Sequence, residues 1–184
     1  REAASLFAAA GVTWVQDALV LPHHADVWVT AATTGQGLPV RADLCFLLEP
    51  DSWRERIARF EADRERVESG AAGLVTARSV KFFADGVIEN ETGALLAPYC
   101  GTLHNHGMQV WDDLAEAARA VDELGFQIHI HAIGDAAARQ ALDTIEHVVN
   151  TNGARDRRPV IAHAQLVDDA DPGPVASLGV IANL

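Results

Sequence analysis

The sequence predicts an α/β fold built on a parallel sheet, and three observations carry that expectation. Short β-branched runs alternate with longer helical ones along the chain, which is the pattern of βαβ units. No Gly-rich phosphate fingerprint follows any of these runs, so a dinucleotide-binding fold has no support. About six strands can be counted, compatible with most of an eight-stranded barrel.

The elements follow in order. "EAASLFAAAG" reads as a helix closed by Gly11 at the C′ position. "VTWVQDA" and "PVRADLCFLL" read as strands. "DSWRERIARFEADRERVESG" is strongly helical, with Asp51 or Ser52 as N-cap and Gly70 at its end. "SVKFFADGVI" is a strand, followed by a long loop through "ENETGALLAPYCGTLHNHG". "WDDLAEAARAVDELG" is helical and stops at Gly125, and "FQIHIHAIG" is the next strand. "DAAARQALDTIEHVVNTNG" is a helix with Asp135 expected as its cap, where a carboxylate can take an orphan N–H. "RPVIAHAQL" is a strand, and a helical turn around "DPGPVASLG" leads into "VIANL". The opening at Arg1 lacks Met and is already in helical register, and the closing run reads as an unfinished strand. The expectation is one domain, residues 1–184, forming an internal piece of a longer barrel protein.

Composition narrows the function. The chain has 184 residues, 49% of them hydrophobic, and a formal charge of -12 spread along its length. No basic stripe exists to neutralise phosphates, so neither nucleic acid nor an anionic membrane surface is an expected partner. No apolar run is long enough for a transmembrane helix and no signal peptide is visible. Cys45 and Cys100 are isolated and lack metal-type spacing. A cytoplasmic location is therefore expected.

Lys81 is the one lysine among 14 Lys and Arg residues. It sits in a strand-like run whose alternation puts Ser79, Lys81, Phe83 and Asp85 on one face. The same reading groups Gln127, His129 and His131 on one face, and Ile161 with His163 on another. Facing inward near the C-terminal ends of successive barrel strands, Lys81, His131 and His163 would occupy the place where such barrels keep reactive groups. Burying them without partners costs several kcal/mol each, by rough estimate. A divalent metal removes that cost, because imidazole nitrogen ligates zinc and similar ions. The choice of lysine over arginine points to a group that can lose its proton when buried. Its amine can then combine with carbon dioxide to give a carbamate, an anionic ligand.

"VKFFADGVIENETGALLAPY", "HIHAIGDAAARQALDTIE" and "RPVIAHAQLV" resemble the amidohydrolase superfamily. They are most similar to its large third family, which includes N-substituted formamide deformylases. The resemblance runs from "GVTWVQDA" to "LGVIANL". It implies a partial (β/α)8 TIM barrel, from the helix after strand one into strand seven. It places Lys81 on strand four, His131 on strand five and His163 on strand six, as catalytic residues and metal ligands. A His-x-His pair and an aspartate would lie outside the chain. It further implies one or two divalent ions, zinc foremost, and a metal-activated water attacking an amide-type C–N bond of a small molecule. The alternatives are an ester or lactone hydrolase, or an inactive barrel piece with a binding or structural role.

Other residues carry weaker expectations. His129, one layer deeper than His131, is expected as a core residue or a support for the ligands. Asp85 and Asp135 are expected to support ligands, shape the loop or cap a helix. "HNH" (His104, His106) has ligand spacing but lies in a loop, His23 and His24 follow a strand, and His147 is mid-helix. Glu89 to Tyr99 is expected to cover the substrate. Open barrel edges predict self-association.

Overall fold

The computed structural model describes residues 2–21 and 23–184; the expected helical register at Arg1 lies outside them. Six strands, β1 (Trp14–Val20), β2 (Arg41–Leu47), β3 (Val75–Phe83), β4 (Gln127–Ala132), β5 (Val160–His163) and β6 (Ile181–Asn183), follow one another in sheet order. They alternate with helices α1 (Glu2–Ala9), α2 (His24–Thr33), α3 (Trp53–Gly70), α4 (Leu114–Glu123), α5 (Asp135–Asn152) and α6 (Pro172–Ser177). The pairings β1–β2, β2–β3, β4–β5 and β5–β6 are all parallel. Sequential parallel strands joined by helices make this an α/β fold, a partial (β/α)8 barrel. No helix among the described residues is long and apolar enough to cross a membrane.

The chain divides into two compact units. The first comprises Arg1–Leu47 and Glu55–Lys81. Its apolar core includes Leu44, Phe46, Phe60, Val67, Val75 and Ala77, with the Phe46 and Phe60 rings stacked at 5.5 Å. Gly11 closes α1 at φ +82°, the left-handed C′ conformation expected of it. α2 is an element the sequence reading did not identify. Its residues include Val27, Val29, Thr30 and Thr33, β-branched types with weak helix propensity.

A polar network crosses the sheet of this unit. The Asp43 carboxylate accepts from Ser79 Oγ, from Thr76 Oγ1 (2.7 Å), from Gln16 Nε2 (3.3 Å) and from the Arg78 backbone N–H (3.1 Å). The last bond has a local cause. The β2–β3 register shifts between Asp43 and Cys45, and an extra residue on β3 leaves a backbone donor outside the ladder. Asp43 is buried, so these four donors supply what water would otherwise provide.

The second unit comprises Leu48–Arg54 and Phe82–Leu184. Its core joins Phe82, Trp111, Phe126, Ile128 and Ile130 to the buried stripes of α4 (Ala117, Ala118, Val121) and α5 (Ala141, Leu142, Ile145, Val148). The buried Asp122 at the end of α4 gathers Asn152 Nδ2 (2.9 Å), Arg157 Nε (2.9 Å) and the Arg155 guanidinium. Asp135 is not the N-cap of α5. Gly134 holds that position and makes no side-chain cap. One residue further in, Asp135 Oδ1 accepts from the N–H of Ala136 (2.9 Å) and of Leu96 (2.9 Å), and so ties the long loop to the first turn of α5.

Candidate metal centre

Lys81 belongs to the first unit. It is paired with Leu47 in the β2–β3 ladder and is buried. Desolvation lowers the pKa of its amine from the ordinary lysine value, opposed by the Cys45 charge. Cys45 pairs with Ser79, two residues earlier on β3. Burial pushes its thiol up to about 12, partly offset by a hydrogen bond with Ser79 and by the Lys81 charge. The amine is therefore biased toward its neutral, nucleophilic form, and the thiol toward its neutral, unreactive form.

In the second unit, His131 and His163 come together. Their ring centroids are 4.8 Å apart and their planes meet at 73°. Strand alternation does not produce this contact, and here the sequence reading needs correction. Simple alternation along the sequence groups Ile161 with His163 on the inward face. The register pairs Ile161 with Ile130 and Ala162 with His131. Laterally paired residues share a face, so Ala162 lies on the His131 side and Ile161 on the opposite one. By the same alternation His163, paired with Ala132, would point away from His131. Its backbone is instead left-handed, φ +76°, and Ala164 follows at φ +41°. That turn at the end of β5 redirects the imidazole toward His131. Non-Gly residues seldom adopt this conformation, and where it persists the surroundings hold it.

The surroundings are specific. Ala164 N–H donates to Ala132 O (3.0 Å) and Leu166 N–H to Ile133 O (2.9 Å). His131 Nε2 lies 2.9 Å from Gly86 O. A carbonyl can only accept, so Nε2 donates there, and in the neutral ring this leaves the lone pair on Nδ1. An imidazole whose second nitrogen donates to a carbonyl is the usual arrangement of a metal-ligating histidine. The pair thus fits a divalent ion as two of its ligands. Among the described residues, no three His, Cys, Asp or Glu side chains converge as a metal-binding group.

Asp85 lies directly beneath this site. Its carboxylate accepts backbone N–H groups of Ala94, Ile133 and Gly134, and its Oδ1 is 3.4 Å from His131 Nε2. His129 is buried on β4 two residues before His131. The remaining histidines stand in other settings. His104 is exposed. His106 Nδ1 is 3.0 Å from Leu95 O, His23 and His24 stack edge-to-face at 4.3 Å by the start of α2, and His147 is 3.2 Å from Glu116 on α4. Tyr99 donates its hydroxyl to Gly93 O (2.8 Å) and closes the base of the long loop. The sequence reading did not find the Gly86 carbonyl or Gly134. The "ADG" and "AIGD" turns were the available signal.

The amidohydrolase family model matches residues 1–184. The chain belongs to the amidohydrolase family. Two curated relatives of comparable similarity are each 36% identical over 107 residues, or 57% of this chain. One is the Arabidopsis thaliana protein LONG AFTER FAR-RED 3. The other is YtcJ of Bacillus subtilis (strain 168), whose name assigns it provisionally to the amidohydrolases. The matched stretch spans 18% and 20% of those two proteins. Among solved structures, an uncharacterized metal-dependent hydrolase from Pyrococcus furiosus superposes with a TM-score of 0.73 at 20% identity, covering 98% of this chain and 36% of that one. Its counterpart from Pyrococcus horikoshii gives 0.71 at 24% identity, covering 98% and 34%. At these identities the structural matches establish the shared fold.

Proposed function

We propose that this protein is part of a metal-dependent hydrolase that cleaves a non-peptide, amide-type C–N bond of a small molecule. The observation that carries the reading is the His131–His163 pair, 4.8 Å between ring centroids, in a chain of the amidohydrolase family. Holding His163 in a left-handed turn to face His131 is a local cost. When bound, a divalent ion such as Zn²⁺ supplies Lewis acidity, polarising a carbonyl and bringing the pKa of water toward neutrality. His131 would bind through Nδ1, with Gly86 holding the opposite edge of its ring.

Lys81 enters the proposal on its own surroundings. Burial favours the neutral amine, the form that adds to carbon dioxide with loss of a proton to give a carbamate. That product is an anionic oxygen ligand, which a guanidinium cannot form. The choice of a C–N bond over an ester rests on the family alone.

The test is hydrolysis of a panel of N-substituted formamides and acetamides beside the matching esters. It uses the full-length protein that carries this chain, before and after chelation and with Zn²⁺ restored. The reading expects amide turnover that disappears on chelation and returns with the ion. Ester turnover alone contradicts the C–N assignment, and turnover indifferent to chelation contradicts the metal.

A further inference from the structure

We infer that Asp85 is a positioning residue for the histidine pair, acting on His131 directly and on His163 through the turn at residues 132–134. The inference deepens the metal-site reading above and rests on it.

The direct action is at His131 Nε2. This N–H donates to Gly86 O at 2.9 Å, and Asp85 Oδ1 lies 3.4 Å from the same nitrogen. The Asp85 side chain has no solvent exposure, so its field is little screened by water. A carboxylate beside Nε2 favours the proton there over Nδ1 and leaves Nδ1 as the ligating atom.

The indirect action runs through two peptide planes. Asp85 Oδ1 accepts the N–H of Ile133 (3.0 Å), and the carbonyl of that same peptide unit, Ala132 O, accepts Ala164 N–H (3.0 Å). Asp85 Oδ2 accepts the N–H of Gly134 (2.8 Å), and the carbonyl of that unit, Ile133 O, accepts Leu166 N–H (2.9 Å). Each peptide is planar, so fixing its N–H aims its C=O. Bonds in such chains also polarise one another. The two donors, Ala164 within the left-handed turn that presents His163 and Leu166 just after it, are the residues these carbonyls hold. Asp85 Oδ2 also accepts Ala94 N–H (2.9 Å), which draws the long loop onto the same turn. A Cβ at Gly134 would overlap the Ala94 carbonyl oxygen, so these backbones already touch.

The experiment separates positioning from plain structural support. In metal-free protein, ¹⁵N NMR of the imidazoles reports which nitrogen of His131 is protonated. The wild type is expected to show the Nε2–H form. Asp85→Asn leaves Gly86 O alone to hold the Nε2 proton, so the Nδ1–H form should rise above its wild-type population and Zn²⁺ binding should weaken by about 10–100-fold, the usual cost of losing a ligand's supporting partner. Gly134→Ala strains the same turn but keeps the carboxylate, and should lower the melting temperature without moving the tautomer. If Asp85→Asn does not fold, Asp85→Ser, which also removes the carboxylate, carries the same comparison. A wild-type Nδ1–H form overturns the inference. So does an unchanged tautomer in the Asp85 variant, or an equal shift in Gly134→Ala. A tautomer shift in a protein that binds no Zn²⁺ upholds the positioning role while sinking the metal reading.

Discussion

Lys81 and Cys45 illustrate what single residues reveal and conceal. That one lysine stands among arginines is visible in the sequence, and so is its place in an apolar run. Its company is not visible, because Cys45 and Ser79 reach it through a β2–β3 register that shifts on the way. With its thiol pushed up to about 12 and buried, Cys45 should resist alkylation in the native protein. Cys100, which is exposed, should react. Iodoacetamide followed by mass spectrometry should therefore find one modified thiol in the fold and two after denaturation. Two rapidly labelled native thiols would show that Cys45 is accessible. Lys81→Arg keeps the charge but loses the reactive amine. On the proposed carbamate role, the change should cost at least as much as loss of a supporting partner, so activity is expected to fall by about 100-fold or more. Steady-state kinetics of the folded variant checks this.

At the scale of elements, α4 and α5 were readable from their strong hydrophobic periods, α3 from a long run of helix-forming residues ending at Gly70, and the strands from short apolar, β-branched runs. α2 was not, since β-branched residues there oppose the helix that tertiary packing imposes. β5 was recognised as a strand but its faces were assigned backwards. Four residues hold too little alternation to fix a phase, and the left-handed His163 breaks the alternation where it matters. Asp85 was noticed, yet its partners are backbone N–H groups at 94, 133 and 134, which no side-chain motif encodes.

The α4 terminus supports a stability prediction. Burial alone would raise the Asp122 carboxyl, but hydrogen bonds from Asn152, Arg155 and Arg157 outweigh it and hold the pKa below the ordinary value of 3.8. Because the folded value is the lower one, this stabilisation is present above pH 3.8 and is lost as pH falls through the folded value. Asp122→Ala strands the buried Arg157 and should destabilise by about 3–5 kcal/mol. Urea denaturation at neutral pH measures that loss. The difference from wild type should shrink in acid, and a constant difference would contradict the ionic account.

For the whole molecule, the outer strands of the sheet order are β1 and β6. Trp14 and Ile181 on them are exposed, as are Leu6 and Leu184. Unpaired strand edges with apolar residues invite pairing, whereas a net charge of -12 opposes it through repulsion that salt screens. Self-association that strengthens from low to moderate ionic strength is expected in sedimentation velocity. Association weakened by salt would point to ionic contacts instead.

The central claim is that His131 and His163 hold a divalent ion. The most direct test is metal content by mass spectrometry after Zn²⁺ loading and exhaustive dialysis. In the full-length protein that carries this chain, wild type should be compared with His131→Ala, His163→Ala and, as a control, His104→Ala, each shown to be folded by circular dichroism. The account predicts Zn²⁺ retained by the wild type and by the His104 variant, and lost from each of the other two. Equal Zn²⁺ in all four proteins would contradict it.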